Sequence, residues 1–164
     1  MARQALTDAS PLIGLCIVEG LPWRRQLFGQ VWLPAQVHDE VVGRGFPGEQ
    51  AIIQAQAAGW LRLTAPVPDQ PDQPELPDLD EGEAACIRLA LAGGGPALLL
   101  MDERAGRAVA LERGLQVAGT AAVIGMARLR GLGPAARPVF ERLHNSDFRI
   151  SAAVIRTVLR RVGE

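Results

Sequence analysis

From residue 81 onward the sequence alternates between two hydrophobic periods, and that alternation limits the possible folds more than any other feature. Helical spacing over Glu81–Leu91 gives way to an unbroken apolar run at Ala97–Met101. Helical spacing returns over Glu103–Arg113, followed by a short strand pattern at Leu115–Val117 and a helix from Thr120 to Leu129. Parallel neighbours need crossovers of about a dozen residues or more, which helices supply, so the pattern predicts an α/β fold with a parallel sheet.

The first half carries a looser version of the same pattern. Gln4–Thr7 reads as a strand, and Asp8-Ala9-Ser10-Pro11 opens a helix to about Val18, with Ser10 as N-cap and Pro11 as first helical residue. Helices at Trp23–Phe28, Pro34–Val42 and Gly48–Ala58 alternate with strands at Gln30–Leu33 and Trp60–Leu63. Residues 64–79 hold five prolines and four acids without apolar periodicity and are expected to form an extended loop. Helices at Ala135–Leu143 and Ser151–Val162 follow at the end. With 164 residues, the parts on either side of the loop are too small to stand alone comfortably, so one domain over 1–164 is expected.

Several chemistries are excluded by absence. The chain has no lysine, which removes the GxxxxGK[ST] phosphate loop, Schiff-base chemistry and a lysine base. Serine occurs only at 10, 146 and 151, without a GxSxG elbow. Cys16 and Cys86 sit in apolar runs far apart, a core-packing pattern rather than a zinc or disulfide one. His38 and His144 also lack zinc-ligand spacing; His38 projects between the buried and exposed faces of its helix and reads as a structural or surface residue. No run reaches the roughly 18–20 apolar residues of a membrane span, and the start lacks a secretory pattern, so a soluble cytoplasmic protein is expected.

Net charge is −1, but unevenly divided: residues 1–103 carry 6 Arg and 14 acids, whereas residues 104–164 carry 11 Arg and 4 acids. An acidic half beside an arginine-rich half suits a cation site next to a phosphate-binding surface. Helices that carry arginine only for solubility would look the same.

Four carboxylates stand out by placement. In an open parallel sheet, residues just past the carboxyl ends of strands converge where strand order reverses. Asp8 and Asp102 both follow predicted strands, although Asp102 could equally be the N-cap of the next helix. Glu40 flanks the buried stripe of its helix: with Val37 as origin, it falls near 300° at about 100° per residue, beside Val41. Its ordinary alternative is an i,i+4 surface pair with Arg44. Glu83 shares its helix face with Cys86, Ile87 and Ala90, yet Asp80-x-x-Glu83 also resembles a capping box. Unit charges about 4 Å apart repel by about 4 kcal/mol at an effective dielectric of 20, so converging carboxylates need protons or cations. Oxygen ligands suit Mg2+ or Mn2+.

These residues lie in segments that resemble the PIN domain family, and within it a VapC-like toxin ribonuclease branch of bacteria and archaea. The matching segments are DASPLIGL (8–15), LFGQVWLPAQVHDEVV (27–42), LDEGEAACIRLAL (79–91), LLLMDERAGRAVA (98–110) and GLQVAGTAAVI (114–124). The resemblance implies a three-layer α/β/α sandwich with a central parallel sheet. It implies that Asp8, Glu40, Glu83 and Asp102 hold Mg2+ or Mn2+ for hydrolysis of RNA phosphodiester bonds. Glu103 stands where the branch commonly has a further acid, and Ser10 and Thr120 match small hydroxyl residues near the family's site. The third acid is often Asp in the wider family, and Glu83 matches it best here. Arg104 and Arg107 are the candidates for contacting phosphate, unless they pair with neighbouring acids such as Glu103. Family partners would be an RNA substrate and a small antitoxin whose basic residue enters the acidic pocket, and many members form homodimers.

Two competing readings follow. A PIN-like module that binds nucleic acid or protein without turnover would share the fold, and replacement of any of the four acids would favour it; none is replaced. A doubly wound receiver or nucleotide-binding domain is opposed by the missing lysine and glycine loop.

Overall fold

A computed structural model describes residues 4–65 and 75–164 of the chain. Its five strands are β1 (Gln4–Thr7), β2 (Val31–Leu33), β3 (Leu61–Leu63), β4 (Ala97–Leu100) and β5 (Gln116–Ala118). They form one wholly parallel sheet in the order β3-β2-β1-β4-β5. Chain order therefore reverses between β1 and β4, where Leu6 lies opposite Leu99 and Thr7 opposite Leu100.

Nine helices accompany the sheet among the described residues: α1 (Ala9–Ile17), α2 (Leu21–Phe28), α3 (Ala35–Val41), α4 (Glu49–Ala57), α5 (Glu81–Ala92), α6 (Arg104–Glu112), α7 (Thr120–Leu129), α8 (Ala136–Asn145) and α9 (Ala152–Arg161). The predicted elements are all present, with ends shifted by a residue or two. Of the proline-rich loop, residues 66–74 lie outside the described residues, and its two flanks form neither helix nor strand.

All four β4 residues are buried, as a strand covered on both faces requires, and this explains its unbroken apolar run. Leu6, Leu12, Leu33, Leu99 and Ile124 are among the residues sealed in the core. Each buried leucine is worth roughly 1.5–3 kcal/mol of transfer free energy, which anchors the central strands and so fixes where their carboxyl ends emerge. Layers of helix, parallel sheet and helix make the predicted α/β/α sandwich.

One local expectation changes. Ser10 is not the N-cap of α1: Asp8 holds that position with extended backbone (φ −82°, ψ 172°), and Ser10 and Pro11 lie inside the first turn. The Asp8 amide still bonds to the Leu100 carbonyl at 2.9 Å, so the sheet ladder runs to Asp8 and the helix begins at once.

Candidate metal centre

At the β1/β4 reversal an acid follows each strand end, Asp8 at once and Asp102 after Met101. Asp8 is the residue after β1 and is only 3% exposed. Its Oδ1 is buried without a hydrogen-bond partner among the described residues. Such an oxygen costs free energy unless it meets a proton or cation. Burial pushes the Asp8 carboxyl up to about 7; the Ala9 amide opposes this, and Asp80, Glu83 and Glu40 add to the rise.

The neighbours arrive on α5. Asp80 is the N-cap of this helix and accepts from the Glu83 amide at 2.8 Å, while the Asp80 amide donates back to the Glu83 carboxyl. The expected capping box is therefore present, and it brings both acids to Asp8. One carboxylate oxygen from each of Asp8, Asp80 and Glu83 lies within 4.8 Å of the others. Glu83 is 4% exposed, and its carboxyl is raised first by burial and then by Asp80, with Glu103 and Glu40 adding to the rise. Capping and clustering coexist because a carboxylate has two oxygens and about four acceptor sites.

Glu40, on α3, approaches from the other side. Although the residue is exposed, its carboxyl is raised by partial burial and by Asp80. A Cβ on Gly82 would sit 3.0 Å from both Asp8 Oδ1 and Glu40 Oε1. The two oxygens thus flank the space that glycine leaves open. Arg44 donates to the Asp39 carbonyl at 3.2 Å, and its charge offsets part of the rise at Glu40, so the i,i+4 partner acts on Glu40 from a distance. Gly106 of α6 plays a similar part for Glu83, whose Cδ would lie 3.2 Å from a Cβ there.

Asp102 stands beside the trio rather than within it. It does not cap α6, a position that Glu103 takes. Both its oxygens instead turn to Thr120, one accepting from the amide and the other from the hydroxyl, each at 2.7 Å. Thr120 is fully buried, so the pair fixes the direction of the Asp102 side chain. Arg107 donates to the Met101 carbonyl at 3.2 Å and lies beside Asp102 near Gly119. Arg104 is exposed at the start of α6, and Glu103 is exposed with its charge felt by Glu83. Ser10 is half-buried in the first turn of α1, close in sequence to Asp8.

Two participants escaped the sequence reading. Asp80 was legible only as a cap. Arg24 on α2 is wholly buried and donates to Thr7 Oγ1 at 2.7 Å; the Thr7 hydroxyl in turn donates to the Asp8 carbonyl at 2.9 Å. Its Nε and Nη2 have no partner among the described residues. Burial lowers its pKa to about 10, and Asp102 opposes the fall. Cys86 is buried in the core, Cys16 is partly buried, and both are free thiols.

An all-oxygen set that includes one unpartnered buried oxygen fits a hard divalent ion. A family model for the PIN domain matches residues 4–164, and the chain belongs to that family. PIN domains are generally nucleases that use divalent metals, so the fold and the acidic trio point to the same class of chemistry. No curated protein and no solved structure matches the chain. No helix among the described residues is long and apolar enough to cross a membrane.

Proposed function

We propose that this chain is a metal-dependent endoribonuclease of the VapC-like branch, acting as the toxin of a toxin–antitoxin pair in the cytoplasm. The observation that carries the reading is the buried Asp8 Oδ1, which lacks a partner among the described residues, on a carboxylate that clusters with Asp80 and Glu83. Charge supports it as well, because the arginines of α6 stand next to the acids, where a phosphodiester would enter. One domain over 1–164, a homodimer and a small antitoxin with a basic residue for the acidic pocket complete the proposal.

In this reading Asp8, Glu40, Glu83 and Asp102 hold Mg2+ or Mn2+, with Asp80 as an additional ligand. The bound ion would lower the pKa of a water and stabilise charge developing on the phosphate. The chain's own residues do the rest. Thr120 holds Asp102 in one orientation, and Ser10 and Glu103 would act as supporting groups. Arg104 and Arg107 bind the phosphate oxygens with charge-assisted hydrogen bonds. Asp8 must be ionised to act as ligand, so burial that raises its pKa also ties metal loading to pH.

The test is incubation of purified protein with structured and single-stranded RNA in Mn2+ or Mg2+, in EDTA, and with the Asp8→Asn variant. Cleavage only by native protein with added metal supports the proposal. Cleavage that survives chelation, or survives the substitution, defeats it.

A further inference from the structure

Beyond the acids, a groove of about 790 Å3 opens beside Asp102 and runs between α6, the start of α7 and the segment from Arg149 to Arg161. Four arginines border it: Arg104 and Arg107 from α6, and Arg149 and Arg161 from the other wall. Among the described residues Asp102 is the sole acid along it, and each of its oxygens accepts a hydrogen bond from Thr120. Among the described residues, the only carboxylate that pairs with any of the four is Asp147, 3.5 Å from Arg149 in a pair exposed on both sides. The floor is aliphatic, with Leu111 and Val154 substantially exposed, and no aromatic ring among the described residues lines it.

We infer that this groove carries the single strand of nucleic acid on one side of the scissile phosphate, with Arg149 and Arg161 as backbone contacts distinct from the α6 arginines. The inference rests on the nuclease reading above. Charge selects the occupant: four arginines against Asp102 and the exposed Asp147 leave the groove net positive, which suits a polyanion that continues away from the metal-binding acids. The floor selects how it is read. Without aromatic platforms the only planar groups offered to a base are the arginine guanidiniums, and sugar and base edges lie against the aliphatic surface. Affinity then comes from phosphates and carries little base preference. Two faces of α9 separate the groove from the rest: Val154, Thr157, Val158 and Arg161 face it, whereas Arg156 and Arg160 line another surface with Arg137.

The test uses the full chain with Asp8→Asn in EDTA, so that no strand is cut, and a labelled uridine oligonucleotide whose binding is followed by anisotropy across NaCl concentrations. Arg149→Gln plus Arg161→Gln should weaken binding and flatten the salt slope by roughly 0.7 per arginine for a single strand. Arg156→Gln, on the other face of α9, should leave the slope in place. Equal losses from Arg156→Gln would mean a general charge effect and would overturn the inference. Unchanged oligonucleotide binding in the double variant would overturn it too, and would leave the groove to a protein partner. Melting curves of each variant check that it folds. The nuclease reading fails separately, by native protein binding the oligonucleotide through these arginines yet never cutting it.

Discussion

Removing the Asp8 charge should stabilise the protein when metal is withheld. The Asp8 carboxyl titrates at about 7 in the folded chain against an ordinary 3.8. Between those values the folded state binds more protons than the unfolded state, so stability falls as pH rises through the window. A group shifted this far accounts for at most roughly 4 kcal/mol at about 1.36 kcal/mol per unit. Glu83 and Glu40, raised mainly by burial as well, act in the same direction. Asp8→Asn cannot ionise. It should match the native chain near pH 4, where both are neutral, and exceed it by up to about 4 kcal/mol near pH 8. For a chain of this length that is a Tm difference of roughly 8–16 °C.

The assay is calorimetric or fluorescence melting in EDTA at several pH values, repeated with excess Mn2+. With the ion at about a hundred times its Kd, the native protein should regain close to 2.7 kcal/mol, whereas the variant gains little. The order of the two melting points then narrows or reverses. If native protein in EDTA keeps a constant Tm from pH 5 to pH 8 while the variant is no more stable, Asp8 is not a strained buried carboxylate. If Mn2+ raises both melting points equally, the ion does not bind at Asp8.

Other expectations follow from the same geometry. Thr120→Val removes the hydroxyl that donates to Asp102 at 2.7 Å; Mn2+ titration of activity should show a loss of about 10–100-fold. Gly82→Ala sets a helix-propensity gain of about 1 kcal/mol against crowding of Asp8 and Glu40, so melting should change little while the Mn2+-induced Tm shift shrinks. Arg24→Met replaces a buried cation with two unpartnered nitrogens by a similar apolar volume; urea unfolding should show a gain of about 1–3 kcal/mol, and a loss would mean that its bond to Thr7 outweighs desolvation.

Much of the fold was legible because strand ends are local facts. The apolar run Ala97–Met101 and the short strand Gln4–Thr7 announce where two strands leave the sheet, so Asp8 and Asp102 could be placed at carboxyl ends from the sequence. Which strands are neighbours is not local, and only the order β3-β2-β1-β4-β5 puts those ends side by side. Arg24 shows the opposite case. Beside Arg25 in a short helix it reads as a solvated charge, and its burial depends on the packing of α2, a tertiary fact without a periodic signature.

Asp80 is the instructive miss. The sequence offered it a sufficient duty as helix cap, and a residue with one explanation attracts no second. A signal was nevertheless present two positions later. Gly82 lies in the first turn of α5, where glycine costs about 1 kcal/mol relative to alanine and no turn requires it. A helix that gives up that stability between two acids has a reason outside itself. The space left by the missing Cβ is where Asp8 and Glu40 approach, so the glycine records, in the sequence, that other side chains must come close to the start of this helix.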